Sequence, residues 1–73
     1  MNTLKKYLRI DKKHIYFLNF LIDAYDGIAR VKTINAKEGI VLLNIAQGCE
    51  EDVDMLIADI SKDIKIEQIE KYE

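Results

Sequence analysis

Cys49, His14 and Asp11 are the residues best equipped for chemistry in this 73-residue chain: its one thiol, its one imidazole and a carboxylate at a helix start. A thiol beside an imidazole makes a nucleophile and its base, but only at hydrogen-bonding distance, and here the two lie in different segments. Cys49 would sit in the positive field at the start of a second helix, yet Glu50, Glu51 and Asp52 follow at once and oppose that field. A lone Cys and a lone His lack the clustered ligand spacing of a zinc site, so neither a metal nor a cofactor is expected. Asp23 and Asp26 are three residues apart and read as carboxylates that solvate a helix face. No nucleophile stands beside a base at a readable spacing, and the chain is expected not to be an enzyme.

Binding is the better-supported chemistry. Lys12, Lys13 and His14 crowd a helix start whose free amides could receive an anion. Gln47, Gly48 and Cys49 break the third strand just ahead of the second helix start. The expected ligand-binding set is therefore Asp11, His14, Gly48 and Cys49, provided that the fold brings the two loops together.

The elements that must do so follow from periodicity. Leu8 and Ile10 alternate with Tyr7 and Arg9 in a first strand over 4–10, and Asp11 caps a helix. Ile15, Leu18, Ile22 and Tyr25 recur at three- and four-residue steps, widened by Phe17, Leu21 and Ala24. Tyr16 and Phe20 fall on flanks that one sheet could not easily cover. Asp26 and Gly27 then turn the chain, because glycine can reverse the backbone at a helix end. Ala29, Val31 and Thr33 alternate with Arg30, Lys32 and Ile34, residues 35–39 form a hairpin loop, and residues 40–45 are apolar on nearly both sides. Val53, Leu56, Ile57 and Ile60 give a second amphipathic helix, and Ile64 to Glu67 a fourth strand ahead of a charged tail.

The order strand, helix, strand, strand, helix, strand predicts an α+β ferredoxin-like βαββαβ sandwich, a single domain over residues 1–73 with both helices on one face of a four-stranded antiparallel sheet. With the first and third strands taken as adjacent and parallel, the loops at Asp11 and Gly48 would meet. Ile34, Ile40 and Leu42 on the open sheet face, with Tyr16 and Phe20 on the first helix, are the expected interface of a homodimer. A small molecule or another protein is the further partner considered.

Charge is uneven. Residues 1–32 carry seven Lys/Arg against three Asp, while the whole chain has a net charge of −2. That asymmetry can steer partners, but nucleic acid is not expected: Tyr7 is the one outward aromatic on the two central strands, and the chain is acidic overall. No run approaches the roughly 20 apolar residues of a membrane helix, none has the character of a signal peptide, and a lone thiol fits the cytoplasm.

HIYFLNFLIDAYDGIARVKTIN and GIVLLNIAQGCEEDVDMLIADI resemble a family of small bacterial proteins known only as a domain of unknown function of the 4911 type, a resemblance that covers most of the chain and implies no activity. More remotely, DKKHIYFLNFLIDAYDGIARV is similar to the first half of an ACT-type regulatory domain, with Asp11 and Gly27 at the two ends of that pattern and His14 where the family has a ligand-admitting glycine. The similarity implies a homodimeric regulatory or ligand-sensing module; the alternative is a protein-interaction module without a small ligand. Gly27→Val should cost more than about 1 kcal/mol through backbone strain alone, and an unchanged denaturation midpoint would remove the corner.

Overall fold

The computed structural model describes residues 4–25 and 27–70. Asp26 of the expected corner and the last residues of the charged tail lie outside the described residues. Strand β1 (Leu4–Ile10) leads through a 3₁₀ turn (Lys12–His14) into helix α1 (Ile15–Ala24). The hairpin β2 (Ala29–Asn35) and β3 (Ile40–Ile45) follows, then helix α2 (Glu50–Ile60) and strand β4 (Ile66–Ile69). The sheet order is β2-β3-β1-β4 and every pairing is antiparallel, the α+β ferredoxin-like arrangement.

Local chemistry explains the boundaries. The Asp11 carboxylate accepts from the backbone N–H of Lys13 at 3.1 Å, which starts the 3₁₀ turn that α1 extends. At the other end Gly27 has φ +81 with open space around it, so its requirement is conformational and not steric. β4 begins two residues later than the alternation Ile64 to Glu67 implies. The N–H of Ile64 is bonded to the Ile60 carbonyl at 2.9 Å, which ties it to the end of α2, while its side chain packs against the core.

One expectation about topology is corrected. β1 and β3 are adjacent but antiparallel, with Leu4 opposite Ile45 and Arg9 opposite Ile40. The α1 crossover returns β2 in the direction of β1, and the short loop after β2 can only reverse the chain, so β3 must oppose β1.

Leu8 and Ile10 of β1 and Val41, Leu43 and Ile45 of β3 meet Leu18 and Ile22 of α1 and Val53, Leu56 and Ile60 of α2 in the core. Each such side chain, fully buried, contributes about 1.5–3 kcal/mol of transfer free energy. The hairpin loop is locked to this core at Gly39, whose carbonyl accepts from the Ile10 N–H at 2.8 Å. A Cβ at Gly39, where φ is +74, would stand 1.8 Å from the Ile10 carbonyl oxygen. Gly39→Ala should therefore lose about 3 kcal/mol or more in urea unfolding, whereas Gly27→Ala loses only the cost of its positive φ. Equal losses at the two positions would contradict the steric lock.

Candidate binding surfaces

The antiparallel register decides the fate of the expected ligand site. Asp11 and His14 follow the end of β1 that lies beside Ile40, whereas Gly48 and Cys49 follow the end of β3 that lies beside Leu4. The length of β1 separates the two pairs by roughly 20 Å. Asp11 and His14 stay together, as do Gly48 and Cys49, but the four do not converge. Cys49 is half-buried, packs against the core and is the N-cap residue of α2, with no hydrogen bond from its side chain to the helix. His14 occupies the same place on α1. Among the described residues no three His, Cys, Asp or Glu side chains stand close enough to hold a metal ion.

Around Asp11 and His14 the surface forms a hollow of about 540 Å³. Arg9, Lys12, Lys13, Lys37 and Lys65 line it, interleaved with Asp11, Glu38, Asp63 and Glu67. Arg9 and Glu67 approach to 3.7 Å. Carboxylates nearly balance cations there, which leaves little net attraction for an anion.

Burial within the single chain bears on the expected sheet interface as well. Ile40 and Leu42 do turn away from the helices, but Ile40 is 0% exposed and Leu42 7%. Their cross-strand neighbours explain the burial: Ile40 lies between Arg9 and Asn35, and Leu42 between Tyr7 and Lys32. Of these neighbours Arg9, Tyr7 and Lys32 are long enough to cover the aliphatic strand with a carbon stem or ring while the polar end stays in water, and Asn35 is short. The chain thus seals its own sheet back, and Ile34, the extra residue of a bulge on edge strand β2, is a marginal contributor to any patch.

That seal makes a surface of distinct chemistry. Across the sheet, Arg30, Asn44 and Lys5 form one row, Lys32, Leu42, Tyr7 and Ile69 a second, and Asn35, Ile40, Arg9 and Glu67 a third. Four cations stand against the single carboxylate of Glu67 in these rows. The helix layer is the opposite: α2 carries Glu50, Glu51, Asp52, Asp54 and Asp59, with Lys6 paired to Asp54 and Lys62 to Asp59. Lys5, Arg9, Arg30 and Lys32 were absent from the residues singled out above, although the two-residue alternation of β1 and β2 already puts them on one face.

The outer face of α1 is a third surface. Tyr16 is 84% exposed and Phe20 64%, one turn apart, with Lys12 and Lys13 before them and Asp23 after. Between the helices, Phe17, Leu21 and Tyr25 face Leu56, Ile60 and Ile64 across a shallow cleft of about 300 Å³ with Asp59 and Asp63 at its side.

A family model described as a domain of unknown function (DUF4911) matches residues 8–64, from the middle of β1 to the turn after α2. No curated protein and no solved structure matches the chain. No helix among the described residues is long and apolar enough to cross a membrane. Because Leu42 is buried within one chain, Leu42→Ala should cost about 2–5 kcal/mol in denaturant unfolding at any protein concentration. A cost that appears only at concentrations where the chain self-associates would mean that a partner, and not Tyr7 and Lys32, covers it.

Proposed function

The chain belongs to the DUF4911 family, and we propose that it is a non-enzymatic module that pairs with a second copy of itself through the outer face of α1. The observation that carries this reading is the order of residues along that face: Lys12 and Lys13, then Tyr16, then Phe20, then Asp23. An isologous interface must be complementary to itself, so that residue i meets j and j meets i. Two antiparallel copies of α1 crossing near Leu18 satisfy this. Tyr16 of each meets Phe20 of the other, and Lys13 of each meets Asp23 of the other. The aromatic pair supplies the desolvated centre and the charges set the register.

Self-pairing through the sheet has less in its favour, because like charges would meet across the two-fold axis and Ile40 and Leu42 have no surface left to bury. Sensing of a small ligand also has less support, since Asp11 and His14 stand apart from Gly48 and Cys49. A different protein docking on Tyr16 and Phe20 is the competing occupant.

One helix face is small beside the roughly 1,600 Å² of a standard interface, so a weak, concentration-dependent dimer is expected. Sedimentation equilibrium should show a monomer–dimer equilibrium that Phe20→Ala weakens at least tenfold. Lys13→Glu should weaken pairing through repulsion from Asp23 of the second copy, and adding Asp23→Lys should restore it. A monomer at the highest soluble concentration, or a double variant no better than Lys13→Glu alone, would overturn the antiparallel pairing.

A further inference from the structure

We propose that the open face of the sheet binds single-stranded RNA, with Tyr7 as the platform for a base and Lys5, Arg9, Arg30 and Lys32 as the phosphate contacts. The three cross-strand rows carry the inference. Their centre is apolar and aromatic, with Tyr7 half-buried between Leu42 and Ile69. Their margins are cationic on the β2 side and along β1, while on the β4 side Glu67 stands 3.7 Å from Arg9 and takes part of its charge. Lys5 and Arg9 stand two residues on either side of Tyr7, about 6–7 Å along the strand, and Arg30 and Lys32 stand two strands away from Lys5 and Tyr7, about 10 Å across the sheet. A flexible strand can lay a base over the tyrosine ring while its flanking phosphates reach cations on either side, the combination of stacking platform and positive track that single strands require. A duplex keeps its bases stacked inside and offers that ring nothing. Asn44, between Lys5 and Arg30, adds a neutral donor and acceptor of the kind that a ribose 2′-hydroxyl takes.

Overall acidity is no obstacle, because charge is sorted by layer. The carboxylates of α2 lie on the far side of the sheet, and over distances beyond about 10 Å salt screens exposed charges from one another. Pairing through α1 leaves this face open, so the two readings stand or fall separately.

Fluorescence anisotropy of the full chain with labelled oligo(U) tests the proposal. With Arg9 already engaged by Glu67 and about three phosphates neutralised by Lys5, Arg30 and Lys32, affinity should fall roughly 20-fold between 50 and 200 mM salt. Lys32→Glu and Arg30→Glu, both on the edge strand, should each weaken binding and flatten the salt dependence. Tyr7→Ala should weaken it at least about fivefold, and Tyr7→Phe, which keeps the ring and the cover over Leu42, should bind as the parent chain does. Lys62→Glu, on the helix layer, should have no effect. The proposal is overturned by the absence of binding at low salt, by Lys62→Glu weakening binding as much as Lys32→Glu, or by oligo(dT) binding as tightly as oligo(U). Polyglutamate competing as well as oligo(U) would likewise overturn it and assign the face to an acidic protein segment.

Discussion

The structure depends on covering both sides of β3 with only one layer of helices. Val41, Leu43 and Ile45 are met by α1 and α2, but Ile40 and Leu42 point the other way and still lose almost all contact with water. The strands on either side place Arg9, Tyr7 and Lys32 beside these two residues, side chains whose stems and ring can cover an aliphatic centre while a charged or phenolic end stays outside. Two requirements are met by the same residues: the interior is closed, and the outside of the closure is cationic.

That solution sorts charge by layer. The basic strands β1 and β2 flank β3 and so meet over its back, while the acidic start of α2 lies in the other layer, where negative side chains also suit the positive end of the helix. A net charge near zero therefore conceals two surfaces of opposite sign. The aromatic face of α1, with a cationic end and an anionic end of its own, is a third surface distinct from both.

Much of this was legible beforehand. The span of β1, the hairpin strands and α2 follow from two- and four-residue periodicities, and the turn at Gly27 follows from its neighbours. Tyr16 and Phe20 were recognisable as surplus to a one-sided helix stripe. What misled was direction: taking β1 and β3 as parallel joined Asp11 and His14 to Gly48 and Cys49, which the antiparallel register holds apart. Burial misled too, because Ile40 and Leu42 read as apolar outward positions, and periodicity says which face a side chain occupies without saying what lies over it. β4 began late for a similar reason, since the closing hydrogen bond of α2 claims the Ile64 amide.

By itself the sequence determined which residues form each element, which side of each strand is apolar, where the chain turns and that no cluster of reactive side chains is close along the chain. These are local properties, set by backbone sterics and by side-chain alternation. Only the tertiary structure decided that the expected ligand loops lie at opposite ends of the sheet, that Arg9, Tyr7 and Lys32 flank the buried Ile40 and Leu42 of β3, and that the cations gather on one face and the carboxylates of α2 on the other. Those outcomes rest on strand order and direction, which set β1 beside β3 residues more than 30 positions away, and no local preference records who the neighbours will be.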